Sequence, residues 1–168
     1  TSSLSIAALA GSCTNTERVV GVHFFNPAPI MPLVEIIPAI TTSAAVVADA
    51  RALATAWGKT TVLAADTPGF LVNRVARSFY GESLRIREEG MADCATIDWA
   101  MRTIGGFRMG PFELMDFIGL DVCHDIMMVL YRELGDQKFF PCPLLRQLVL
   151  AGRLGDKSGR GVFEYPGK

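Results

Sequence analysis

The sequence holds 168 residues, half of them hydrophobic and a fifth charged, with a net charge of -1. A chain of this length buries roughly 68–70% of its unfolded surface, enough for one solid core or two small ones. Its near-neutral, mixed-sign charge gives no electrostatic reason to expect nucleic acid or an anionic membrane as partner, which leaves a small molecule or another protein.

Residues 4–10 are short, apolar and alanine-rich, which predicts a brief helix stopped by Gly11. The run Val19-Val20-Gly21-Val22-His23-Phe24-Phe25 is apolar apart from its histidine, as expected for a strand buried on both faces of a mostly parallel sheet. Pro27, Pro29 and Pro32 then break regular structure before a second strand, residues 33–37, that carries Glu35 among four aliphatic residues. Residues 43–57 read as a helix ended by Gly58, and residues 60–65 as a third strand. Thr67 followed by Pro68 reads as a capped helix entry. From there the pattern is helical: a long segment with Val72, Val75, Phe79 and Ile86 on one face, closed by Gly90, then a helix over 95–103 capped by Asp93. Gly110-Pro111 opens another, the apolar stretch through Tyr131 supplies one or two more, residues 144–150 form a last short helix, and residues 161–165 an extended tail. The boundary near Asp66 thus separates an α/β piece, 1–66, from an all-helical piece, 67–168. Three strands with a helix or two do not cover a parallel sheet, and the chain starts without Met, so a fragment of a longer protein is expected.

Candidate chemistry concentrates at the end of the first strand, where open α/β sheets bind ligands. His23 there is either a satisfied core histidine or an acid/base group. Glu35 favours the second, because a carboxylate buried among aliphatic residues needs a partner. If the two strands adjoin, Glu35 accepts the proton of one ring nitrogen and leaves the other nitrogen as a base. Asn73 lies too deep in the helix begun at Pro68 to cap it, so it is either solvent-exposed or functional. Ser2 and Ser3 precede a helix that either could cap, and Asn26 before Pro27 is by default a turn residue.

Other patterns point away from function. Cys13, Cys94, Cys123 and Cys142 show no C-x-x-C spacing, which favours reduced structural thiols over zinc or redox motifs. His124 lies between Cys123 and Asp125, but helical geometry puts these neighbours on different faces, so no metal site is expected. Gly152 to Ser158 lacks the phosphate-loop spacing, and no G-x-G-x-x-G occurs. No apolar run reaches the ~18 residues of a membrane span, and no signal peptide is evident.

His23-Phe24-Phe25-Asn26-Pro27 followed by Leu33-Val34-Glu35-Ile36-Ile37 resembles the hallmark of L-3-hydroxyacyl-CoA dehydrogenases. So do, in order, Thr1-Ser2-Ser3-Leu4, Asp66-Thr67-Pro68-Gly69-Phe70 with Val72-Asn73-Arg74, Met109 to Leu114 with Asp116, Gly119-Leu120-Asp121 and Lys157 to Gly161. The resemblance implies the C-terminal part of a Rossmann NAD-binding domain followed by a helical domain like that of 6-phosphogluconate dehydrogenase. It implies oxidation of a 3-hydroxyacyl-CoA by NAD, or the reverse, in fatty-acid or related acyl-CoA metabolism, by a cytoplasmic homodimer joined through the helical domain. His23 would be the general base and Glu35 its orienting partner. Ser2 and Asn73 would hold the acyl substrate, Asn26 would line the site, and Ser2 and Asn26 would give weak contacts to the cofactor. The glycine-rich turn is missing, so these 168 residues alone are expected to bind NAD poorly or not at all. The alternatives are a non-catalytic dimerisation module and a structural protein derived from the same family.

Overall fold

The computed structural model describes residues 4–166 and divides into two compact units, Thr1–Arg74 and Val75–Lys168. In the first, α1 (Ile6–Gly11) leads through a 3₁₀ turn to β1 (Val20–Phe24), β2 (Leu33–Pro38), α2 (Ala44–Ala56) and β3 (Thr60–Leu63). The strands form one sheet in the order β1-β2-β3. β2 and β3 are parallel, as the intervening helix requires, but β1 pairs antiparallel with β2. For β1 the parallel direction expected of the sheet is therefore corrected. Only residues 25–32 join β1 to β2, fewer than the dozen or so that a parallel crossover needs.

Alternation along the strands sends two sets of side chains to opposite faces. Val34 and Ile36 pack with Val20, Val22 and Phe24 against Val47, Ala50 and Ala54 of α2. Ile37 packs on the other face with Ile6 and Ala10 of α1 and with Phe70. A Cβ at Gly21 would lie 2.7 Å from Ile6 Cδ1, so the close approach of α1 to β1 requires glycine there. Ser5 caps α1, reinforced by Asp66, which accepts hydrogen bonds from the Ile6 and Ala7 N–H groups at 2.8 and 2.7 Å. Ser43, expected as the first residue of α2, is its cap, accepting from the Val46 N–H.

The helix expected from Pro68 starts four residues later, as α3 (Val72–Glu88). Thr67 is not its cap. Gly69 and Phe70 take φ of 75° and 48°, and two successive residues in the left-handed region cannot continue into a right-handed helix. Asn73 is consequently in the first turn of α3, half-buried, rather than two turns in.

The second unit holds the rest of α3 with α4 (Cys94–Thr103), α5 (Pro111–Ile118), α6 (Leu120–Leu134) and α7 (Pro143–Leu150) around Tyr80, Leu84, Ile97, Phe112, Met115, Leu120, Met127 and Leu145. Gly119, with φ of 107°, breaks the apolar stretch after Pro111 into two helices. Asp93 caps α4 by accepting the Thr96 N–H. Two buried aspartates fasten the remaining ends. Asp98 accepts hydrogen bonds from the Phe112 and Glu113 N–H groups at the start of α5, at 2.9 and 2.8 Å. Asp116 accepts from Val162 and Phe163 N–H, both at 2.9 Å, and from the Tyr165 hydroxyl at 3.1 Å. The tail expected to be extended is thus a tight return loop held by single bridges, Gly155 to Arg160 and Arg160 to Glu164.

Candidate active site

Antiparallel pairing sets His23 directly opposite Glu35. Residues opposed across such a pair share one face of the sheet, and here that is the face of α1 and Phe70. His23 Nδ1 lies 2.6 Å from Glu35 Oε2, with His23 8% exposed and Glu35 fully buried. The other carboxylate oxygen, Oε1, accepts hydrogen bonds from the backbone N–H groups of Leu71 and Val72 at 3.0 and 2.8 Å. These two groups open α3, so the role expected of Thr67 is filled by a carboxylate from another element.

Burial on its own pushes Glu35 upward, but the His23 hydrogen bond and the two backbone donors outweigh it and hold the carboxyl below its ordinary value. An ionised carboxylate only accepts hydrogen bonds. The proton on Nδ1 of His23 is therefore fixed toward Glu35, and Nε2 is left as the basic nitrogen. Two aromatic rings confine the imidazole: Phe25 at 4.7 Å between centroids and Phe70 edge-on at 5.6 Å.

Asn26 is exposed on the loop after β1 and forms a cis peptide bond with Pro27. That loop is fastened from beneath by Lys59, whose Nζ donates to the carbonyls of Ala28, Pro29 and Met31 at 2.7, 3.2 and 3.0 Å. Asn73 sits one residue beyond the N–H pair that holds Glu35. Ser2 lies outside the described residues. Sequence reasoning missed Lys59, Phe70 and the Leu71 and Val72 amides; backbone donors carry no side-chain signature, although Pro68-Gly69 could have signalled a turn there.

Elsewhere, His124 Nδ1 is 3.2 Å from Asp125 Oδ1, so these consecutive helical residues do touch, contrary to expectation. Among the described residues no group of three or more histidine, cysteine or acidic side chains could hold a metal. Burial pushes Cys142 up to about 11 and raises Cys94 and Cys123 as well, which makes these three thiols poor nucleophiles. A groove of about 450 Å³ in the second unit, lined by His124, Met128, Arg132, Phe140 and Arg146 among others, contains none of the sequence-predicted site residues.

A buried histidine is thus oriented by a carboxylate at the end of a strand of an α/β sheet, an arrangement chemically able to transfer a proton. The sequence patterns of two consecutive domains match the chain: the NAD binding domain of 3-hydroxyacyl-CoA dehydrogenase over residues 1–67, and the C-terminal domain of the same enzyme over 69–165. The chain belongs to the 3-hydroxyacyl-CoA dehydrogenase family. It is 48% identical, over its full length, to 58% of a probable 3-hydroxybutyryl-CoA dehydrogenase of Bacillus subtilis. It is 46% identical, over 98% of its length, to 35% of a 3-hydroxyadipyl-CoA dehydrogenase of Escherichia coli. The crystal structure of (S)-3-hydroxybutyryl-CoA dehydrogenase from Ralstonia eutropha superimposes with a TM-score of 0.95 at 42% identity, covering 98% of this chain and 58% of that one. The chain thus spans between about a third and six-tenths of the length of these relatives.

The family implies NAD. A dinucleotide pyrophosphate is held by a glycine-rich turn from strand to helix. The two such connections among the described residues, 39–43 and 64–71, contain no glycine and one glycine respectively. These residues fit the proton-transfer half of a dehydrogenase and do not form a cradle for the cofactor phosphates.

Proposed function

We propose that this chain carries the acid/base centre of an NAD-dependent dehydrogenase that interconverts an (S)-3-hydroxyacyl-CoA and the 3-ketoacyl-CoA, in fatty-acid or related acyl-CoA metabolism. The observation that carries the reading is the buried His23–Glu35 pair, 2.6 Å apart with one carboxylate oxygen left to the start of α3. NAD, when bound, supplies the hydride acceptor. In the oxidative direction Nε2 of His23 takes the proton of the 3-hydroxyl, and Glu35 stabilises the resulting imidazolium. In the reductive direction the same nitrogen returns the proton to the ketone oxygen. Ser2 and Asn73 hold the acyl substrate, and Asn26 lines the site.

The domain roles follow the same reading: residues 1–66 belong to the cofactor-binding half, and residues 67–168 to substrate binding and dimerisation. A homodimer through the helical unit is supported by its exposed apolar side chains, among them Met91, Ile104 and Leu150, each more than two-thirds exposed. Four free cysteines accord with a cytoplasmic protein, and no helix among the described residues is long and apolar enough to cross a membrane.

The decisive experiment is His23→Ala in the full-length protein, assayed with acetoacetyl-CoA and NADH. Loss of the general acid lowers kcat/KM by about 10²- to 10⁴-fold. A fall smaller than about tenfold is below what general acid/base catalysis contributes and would refute the assignment.

A further inference from the structure

We propose that the N-terminus of α3 is a positioning element of the acid/base centre: the Leu71 and Val72 N–H groups hold Glu35 Oε1, and so set the orientation and proton affinity of the His23–Glu35 pair. The inference rests on the acid/base reading of His23.

Glu35 has no exposed surface, and both its oxygens are engaged by protein donors. Oε2 meets His23 at 2.6 Å, and Oε1 takes two donors at 3.0 and 2.8 Å. A carboxylate is planar, so fixing one oxygen against two backbone N–H groups fixes the direction of the other, and with it the imidazole. The electrostatic consequence is separate from the geometric one. Both donors, together with the positive end of a 17-residue helix, draw charge from the carboxylate. They keep Glu35 ionised in spite of burial, and they also weaken its pull on the imidazolium. With one donor removed, the carboxylate holds the pair's proton more tightly, and the pair releases it at a higher pH. The left-handed turn at Gly69 and Phe70 is what allows this arrangement. Had the helix started at Pro68, the Leu71 and Val72 N–H groups would donate to the Thr67 and Pro68 carbonyls four residues back and would not be available to Glu35.

The test is an amide-to-ester exchange at Val72 in the full-length protein, made by incorporating the α-hydroxy counterpart of valine. It removes one N–H and keeps every side chain. The pH profile of kcat/KM for alcohol oxidation is expected to keep its high-pH plateau while its acid limb moves up by about one pH unit, the size of one hydrogen bond to a charged group. At a pH below the limb this is about a tenfold loss. The equivalent ester at Leu71 moves the limb in the same direction, and decides the matter if the Val72 ester does not fold. A cap of purely structural importance would lower thermal stability and leave the limb in place; that result overturns the proposal. His23→Ala in the same assay separates the two levels. If it is inactive and the ester limbs are unmoved, only the tether is refuted; if it remains active, the acid/base reading and the tether fall together.

Discussion

The two units bury carboxylates in the same way and put them to different uses. Glu35 in the α/β unit, and Asp98 and Asp116 in the helical unit, are each at most 2% exposed, and each accepts two consecutive backbone N–H groups. Such pairs supply the hydrogen bonds without which a buried charge is prohibitively costly. In Asp98 the N–H pair occupies both oxygens, and the group closes the start of α5. In Asp116 the pair likewise occupies both oxygens, with the Tyr165 hydroxyl added, and the group closes the tail. Glu35 takes both N–H groups on one oxygen and gives the other to an imidazole. The protonation behaviour follows. Burial raises Asp98 despite its two backbone donors, whereas Glu35, with the histidine added, is lowered. Two N–H groups keep a buried carboxylate in place; of the three, Glu35 is the one whose second oxygen faces an imidazole.

The comparison breaks most visibly at Asp116. Asp116→Ala leaves the Val162 and Phe163 N–H groups and the Tyr165 hydroxyl without their acceptor, and is expected to cost about 3–5 kcal/mol of stability. Chemical denaturation followed at Trp99, in a Trp57→Phe background, measures it. A loss below about 1 kcal/mol would mean that water replaces the carboxylate, so that the aspartate is not a structural tie.

Paired amide substitutions sharpen the contrast. Glu35→Gln keeps one carbonyl oxygen for α3 but presents an NH₂ group to Nδ1 of His23, which forces the proton onto Nε2 and removes the base. We expect kcat/KM to fall by about 10²-fold or more. Asp98→Asn has no imidazole to misdirect. It is expected to cost about 1–3 kcal/mol through one poorly matched donor and to leave kcat/KM unchanged. Equal losses of activity in the two variants would contradict the division of roles.

Much of this was readable in the sequence, for identifiable reasons. Glycines, prolines and capping residues act locally, so the end of α2, α4 and the start of α5 follow directly from Gly58, Asp93 and Gly110-Pro111. The His23–Glu35 pair was legible as a need, since a carboxylate among aliphatic residues demands a partner; that His23 meets it depends on register, which the eight-residue link from β1 to β2 permits only in antiparallel form. The start of α3 departs from the local signal of Thr67-Pro68 for helix entry because that signal is overridden by the tertiary bond between Glu35 and the Leu71 and Val72 amides. The tail departs from an extended form for the same kind of reason: Asp116, more than forty residues away, shapes it.

The smallest expected effect is also the one that tests the electrostatic contrast by its sign. Glu35 has a folded-state value below its ordinary one, so the folded protein binds this proton less readily than the unfolded chain does. Its stabilisation is fully present above the unfolded value and is lost as pH falls through the lowered folded value. Asp98 is raised, so its contribution is present below the unfolded value and is lost as pH rises through the raised folded value. Across the carboxylate range the two groups therefore tilt stability in opposite directions, each by no more than about 1.4 kcal/mol per pH unit. Trp57 lies in the α/β unit and Trp99 in the helical unit, so single-tryptophan variants observe each region. Glu35→Gln should flatten the acid-side loss of stability seen at Trp57, and Asp98→Asn should steepen the loss on acidification seen at Trp99. Should both substitutions change the pH dependence with the same sign, the histidine would not be what distinguishes the two buried carboxylates.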